Sequence, residues 1–259
     1  MTIRATILSV ICLLLICGAR LQGGAAYNNS AQSAAGPSQA EIIDRIASAA
    51  GGLDALRSVR TERITARISF GPNNEGPLLV EVKRPGKIRE EIGIQGKTII
   101  RGYDGQTAWQ VNPFSGKADA ETLGPEDTRH IAEEAEIEGP LVDHKQKGNI
   151  VELMGKEKID GRDAYKFKVA LKSGDLHYYY FDCDSYLKVK WEAPRVINGG
   201  DVMIESFFGD YRKVNGLMVP FLIKSGARGS SEGQRIVTEK VEINPGLDDS
   251  RFRKPETGH

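Results

Sequence analysis

Glu62-Arg63-Ile64-Thr65-Ala66-Arg67-Ile68-Ser69-Phe70 repeats with a period of two. Ile64, Ala66, Ile68 and Phe70 alternate with Arg63, Thr65, Arg67 and Ser69, the pattern of a strand with one buried face. The pattern spreads outward from there. Leu78, Val80 and Val82 alternate with Leu79, Glu81 and Lys83, and Ile88, Ile92 and Ile94 share a face with Glu90. Lys97–Tyr103 and Gln106–Val111 follow. Gly71-Pro72-Asn73-Asn74, Pro85-Gly86, Gly96 and Asp104-Gly105 separate these runs as turns. Links this short favour antiparallel neighbours in a meander.

Strands resume at Ile150–Gly155 and Asp163–Leu171. His177–Asp182 and Leu187–Trp191 read as a hairpin around Asp184-Ser185, with Tyr179 and Phe181 on one face. Val202–Tyr211, Leu217–Lys224 and Gln234–Ile243 complete a set of about eleven strands. Helices are few. Ser38 followed by Glu41 is a capping box ahead of Ile42, Ile43, Ile46, Ala49 and Ala50 at helical spacing. Gly51-Gly52 interrupts that helix, and Leu53–Val59 is a second short helical stretch. Gly124–Glu138, with Pro125 in its first turn, predicts another helical segment that runs on irregularly to Lys147. The fold class is mainly β (α+β). So few helices cannot cover so wide a sheet lying flat. The economical solution is a curled antiparallel sheet, an incomplete barrel with helices plugging its concave face, which can enclose a ligand cavity.

The chain has 259 residues with Lys+Arg 35 against Asp+Glu 35, a balance that argues against a nucleic-acid binder. Met1–Arg4 is basic, Ala5–Cys17 is almost wholly apolar, and small residues follow to Ala26. That order predicts a secretory signal peptide over 1–26, a mobile leader over 27–37 and a single domain over 38–259. Cleavage after Ala26 removes Arg4, Arg20, Cys12 and Cys17, leaving 33 basic and 35 acidic residues and one cysteine, Cys183. The mature chain therefore forms no internal disulfide. Leu14-Leu15-Ile16-Cys17-Gly18 is loosely like a lipoprotein processing site, but Ile16 is large where a small residue belongs, so a soluble periplasmic product is favoured over an anchor at Cys17.

No catalytic constellation emerges. Gly229-Ser230-Ser231-Glu232-Gly233 fits a nucleophile pattern but lies between strands, not at a strand-to-helix turn. His130-Ile131-Ala132-Glu133-Glu134 lacks the second His of a zinc helix, and Asp182-Cys183-Asp184 lacks the rest of a calcium loop. The four His residues show no ligand spacing, and no Gly-rich phosphate loop occurs. The expectation is a protein that is not an enzyme and uses no metal or cofactor.

One segment is more specific. Val82-Lys83-Arg84-Pro85-Gly86-Lys87-Ile88-Arg89 is followed by Asp104-Gly105-Gln106-Thr107-Ala108-Trp109-Gln110-Val111-Asn112-Pro113-Phe114. From about Gly76 to Leu123 the chain resembles the periplasmic outer-membrane lipoprotein carrier family (LolA/LolB-like). Asp248–Pro255 echoes the closing segment of that family. The resemblance implies an incomplete barrel with a helical lid, a cavity for lipoprotein acyl chains, and as partners an inner-membrane exporter and an outer-membrane receptor. It also implies that Arg84 faces the cavity and ties the lid shut, with Ile88 at the apolar position after the Pro. Alternation independently puts Arg84 on the face of Leu78, Val80 and Val82, opposite the face of Glu81, and puts Ile92 with Ile88. These residues are the candidate lipid contacts, together with Trp109, which reads as core packing or as a ligand contact. The lid segment carries Glu126, Glu133, Glu134, Glu136 and Glu138, more acid than a greasy plug calls for. A sensor of envelope lipid, or a structural β-domain of the same fold, is therefore the alternative.

Overall fold

The computed structural model describes residues 36–256, apart from 118 and 198. The expected signal peptide and its cleavage site, Cys17 and most of the leader lie outside the described residues.

The capping box at Ser38 is formed: its N–H donates to Glu41 Oε2 (2.7 Å), and the Glu41 N–H donates to Ser38 Oγ (3.3 Å). It opens α1 (Gln39–Ala50), whose Ile42, Ile43 and Ile46 are buried. The helix ends at Gly51, with φ 127°, where a Cβ would meet the Gly216 carbonyl oxygen at 2.6 Å, so glycine is required there. Helix α2 (Leu53–Ser58) follows directly.

The strands of the first half are β1 (Thr61–Ser69), β2 (Glu75–Lys83), β3 (Lys87–Ile94), β4 (Lys97–Tyr103), β5 (Ala108–Val111) and β6 (Glu121–Thr122). Helices α3 (Pro125–Glu134) and α4 (His144–Lys147) separate them from the rest. The second half comprises β7 (Ile150–Ile159), β8 (Arg162–Ala170), β9 (Leu176–Asp182), β10 (Lys188–Ile197), β11 (Gly200–Val214), β12 (Leu217–Ala227) and β13 (Gly233–Ile243). All thirteen join one antiparallel sheet in the order β6-β5-β4-β3-β2-β1-β13-β12-β11-β10-β9-β8-β7. Its edges, β6 and β7, do not pair, so the barrel is incomplete as expected.

Three details differ from the sequence reading. There are thirteen strands, not about eleven; β6 has two residues, too few to show a period. Gly155 does not end β7 but sits at a bulge, with φ 104° and a register shift against β8. The lid is not one helix to Glu138: α3 stops at Glu134, and turns lead to the short α4.

A single apolar cluster lines the concave face. It takes Ile64, Ala66 and Ile68 from β1, Leu78, Val80 and Val82 from β2, and Phe167, Tyr179, Trp191, Ile204 and Ile223 from the far half. Ile42 and Ile46 of α1 and Ile131 of α3 fill it from within. Helix α3 packs on β3, β4 and β5, while α1 packs on β12. The face also holds acids. Glu90 lies among the apolar residues of β3, 3.3 Å from Arg101 Nη1 of β4, and burial raises its pKa against the pull of that guanidinium.

The convex face of the first half is covered by the chain's end. Cross-strand register aligns Glu242, Arg63, Glu81, Arg89, Gly102 and Trp109 in one row. Gly102 is glycine because a Cβ would lie 2.4 Å from the Trp109 ring. The 3-10 turn Asp249–Phe252 seats on this row. Arg251 Nε lies 2.5 Å from Glu81 Oε2, Arg89 Nη1 donates to the Arg251 carbonyl (3.2 Å), and Lys83 and Lys87 hold Asp249 at 2.7 and 2.8 Å. The Asp248–Pro255 segment singled out in the sequence is thus a charged clamp.

Glu62, on the Ile64 face of β1, is 3% exposed, and burial pushes its carboxyl up to about 8. Below pH 4.5 the folded and unfolded states both hold its proton. As pH rises from there, the unfolded state releases it first, so stability falls until about pH 8. Glu62→Gln removes this contribution. In urea unfolding at a series of pH values, the variant gains about 2–4 kcal/mol on wild type between pH 4.5 and 8. A pH-independent difference would refute the assignment.

Candidate functional site

The helices do not fill the hollow completely. A cavity of about 820 Å³ remains between the segment from Arg129 to Pro140 and the concave face of β9 and β10, with Arg84, Pro85 and Gly86 at one end. That size falls within the roughly 300–1,000 Å³ of sites for single small ligands. Ala132, Ala135, Ile137, Leu171, Tyr179 and Trp191 supply apolar wall.

Arg84 stands where β2 runs out, after a strand whose Leu78, Val80 and Val82 face inward. Its Nε donates to the Val59 carbonyl (2.6 Å) and its Nη2 to the Leu56 carbonyl (3.3 Å), at the end of α2. These are carbonyls that a helix end leaves without helical partners. Nη1 pairs with Glu138, in the turns beyond α3. One guanidinium thus joins the end of β2, the end of α2 and the lid segment. The Arg84–Pro85 peptide bond is cis.

The other sequence-predicted contacts are placed differently. Leu78, Val80, Val82, Ile88 and Ile92 are each 0–3% exposed on the concave face, and none reaches this cavity. They are packed in the filled half of the hollow, where α3 lies on β3–β5. Trp109 is fully buried but turned to the convex row, where its Nε1 donates to the Phe252 carbonyl (2.9 Å) and the Arg89 guanidinium sits 5.6 Å from its ring. Of its two readings, the geometry is that of core packing under the clamp.

The polar side of the cavity comes from residues the sequence did not bring together. Glu133 projects from α3, His177 from β9, and Trp191 and Arg195 from β10. His177 Nε2 lies 3.4 Å from Glu133 Oε2, and Arg195 Nη2 lies 3.8 Å from the same oxygen. The His177 and Trp191 rings meet edge to face at 5.2 Å, and the Arg195 guanidinium stands 5.6 Å from the Trp191 ring centre. Burial pushes Glu133 up to about 8 although Arg195 pulls the other way. Burial, aided by Arg195, brings His177 down to about 3. Both are neutral near pH 7. Farther along the rim, Lys147 Nζ lies 2.5 Å from Glu136 Oε1, and burial raises the pKa of Glu136 above its usual range. Much of the acid that made the lid look unlike a plug is therefore protonated or paired. Among the described residues no group of three or more His, Cys, Asp and Glu could hold a metal ion.

His177 and Tyr179 share a strand face by simple alternation, which is the signal that could have found them. A search for metal spacing passes over it. Arg195 lies beyond the expected end of its strand at Trp191 and gave no signal.

No protein-family model matches the chain, and no curated protein does. Solved structures do match. A DUF1329 family protein from Desulfovibrio piger is 14% identical, with 81% of this chain and 95% of that one covered at a TM-score of 0.54. A LolA superfamily protein, NE2245 from Nitrosomonas europaea, is 15% identical, with 78% and 96% covered at a TM-score of 0.49. At such identities the likeness is one of fold. The chain shares its fold with the DUF1329 family protein, and has the open curled sheet and helix-filled hollow expected from its sequence.

Trp109→Phe tests the assignment of that side chain to the clamp. It removes the donor to the Phe252 carbonyl and lowers stability by about 1–2 kcal/mol. Amide exchange speeds up across Asp248–Pro255 and stays unchanged around the cavity. Faster exchange centred on β9 and β10 instead would contradict the placement.

Proposed function

We propose that this protein is an exported, non-catalytic lipid carrier that holds acyl chains of lipoproteins, or of another envelope lipid, in the hollow of its sheet. The observation that carries the reading is Arg84. It stands at the mouth of a largely apolar cavity and ties α2 to the lid segment through the Leu56 and Val59 carbonyls and Glu138. A purely structural β-domain has no use for a cavity at the point where its lid is fastened.

The reading places the protein in the periplasm after removal of residues 1–26. Carriage in outer-membrane lipoprotein sorting implies an inner-membrane exporter that loads it and an outer-membrane receptor that unloads it. Energetics favour a latch. Each buried methylene contributes about 0.8 kcal/mol, so a long chain in a preformed open cavity would hardly leave. A lid that must be unfastened to admit cargo, and that refastens when empty, offsets part of that gain. Opening it would also bring Leu78, Val80, Val82, Ile88 and Ile92, now packed in the core cluster with the helices, within reach of a chain.

Purification from the native envelope followed by mass spectrometry of extracted lipid tests the reading. Stoichiometric acyl lipid is expected. An empty protein that also fails to take up a diacylated lipopeptide would favour the structural alternative. Arg84→Leu is then expected to change the rate of lipopeptide transfer between vesicles about tenfold while the circular dichroism spectrum is kept. Unchanged transfer with unchanged stability would remove the latch from the proposal.

A further inference from the structure

Three buried polar atoms at the cavity wall have no hydrogen-bond partner: Glu133 Oε2, His177 Nε2 and Trp191 Nε1. Native proteins satisfy nearly all such atoms, so three in one wall mark a place where something else is bound. They come from three elements and converge. His177 is 3% exposed, and its Nε2 faces Glu133 Oε2 at 3.4 Å. Trp191 is likewise 3% exposed and touches the His177 ring edge to face.

The chemistry of the missing partner follows from what these groups offer. Trp191 Nε1 can only donate. His177 Nδ1 lies 3.3 Å from Tyr179 Oη, and if that hydroxyl donates to it the imidazole proton is on Nε2, a second donor. Glu133 keeps its proton below about pH 8, so it presents a carboxylic acid and no repelling charge. Arg195 supplies the positive charge. Its Nη1 donates to the Pro194 carbonyl (3.0 Å), and the acid facing its Nη2, at 3.8 Å, is the neutral Glu133. Of the other cations lining the cavity, Arg84, Lys147 and Arg129 are matched by Glu138, Glu136 and Asp175, and Arg60 and Lys172 line it as well. The corner therefore has donors in excess and one positive charge to match.

We propose that Glu133, His177, Trp191 and Arg195 form a recognition site for the carboxylate head of a single-chain amphiphile, whose alkyl chain lies along the apolar wall of the cavity. The inference rests on the lipid-carrier reading and narrows it. A volume of about 820 Å³ suits one small ligand, which favours one chain with a compact planar head. Carboxylate matches guanidinium in geometry and charge.

The test compares three probes by titration calorimetry at pH 7: palmitate, methyl palmitate and the single-chain phosphodiester palmitoyl-lysophosphatidylglycerol. Palmitate is expected to bind at least tenfold tighter than the other two. Arg195→Gln should erase that preference while methyl palmitate binding stays within about twofold. Trp191→Phe keeps the ring and loses the donor, and should weaken palmitate about threefold to tenfold. Equal binding of acid and ester, or a preference for the lysolipid, would overturn the carboxylate site and leave the lipid-carrier reading standing. If none of the three binds, but a diacylated lipopeptide does, the carboxylate site again fails alone. If neither the three probes nor the lipopeptide binds, both proposals fail together.

Discussion

A sheet of thirteen strands that does not close must bury its concave face against something, and the rest of the molecule follows from how that is done. Among the described residues four helices are available, and two of them, α2 and α4, have six and four residues. Helix α1 packs on β12, and α3 packs on β3, β4 and β5. What they leave open is the space beside β9 and β10. The cavity is thus a geometric remainder of curling so wide a sheet over so little helix. Arg84 is placed where the filled and unfilled parts meet, which is why one side chain can bond to strand, helix and lid together.

The two faces of the first half show what alternation does energetically. Inward residues of β2 are Leu78, Val80 and Val82; the outward residue between them, Glu81, is equally buried at 1% exposed. It is buried because the chain's end covers it, and it is tolerated because Arg63 and Arg251 both reach it, at 2.8 and 2.5 Å. A buried charge without partners would cost several kcal/mol. The clamp therefore holds by charge pairs where the hollow holds by apolar contact. The Trp109 indole, donating to the Phe252 carbonyl, adds a large apolar anchor between them.

Much of the fold was legible because it rests on period. Ile64–Phe70, Leu78–Val82 and Ile88–Ile94 keep a period of two, broken only at Leu79 and Glu90, and Ser38 with Glu41 announces α1. Local rules fail where tertiary contacts decide. Gly155 reads as a strand end but accommodates a bulge, and Trp109 reads as core packing or as a ligand contact until register puts it opposite Gly102, on the face away from the hollow. The inward direction of Arg84 was legible from alternation; its acceptors, 25 and 28 residues earlier in the chain, were not. The polar corner was the least legible. Glu133, His177 and Arg195 are spread over more than sixty positions and belong to no spacing rule, since α3 lying in the curled sheet brings Glu133 within 4 Å of the other two.

On the proposed carrier reading, that corner also bears on how such a cavity would release its cargo. An apolar wall alone binds more tightly with every methylene and discriminates little between heads. Donors held at one end change the balance in two ways. When the cavity is empty they must be hydrated, and bringing cargo in costs that water, which offsets part of the apolar gain. When a mismatched head enters, they stay unpaired and the full desolvation cost remains. Selectivity then comes from the few polar atoms and affinity from the wall. On that reading Arg84, which touches the lid and not the corner, would be free to set the rate without altering the choice.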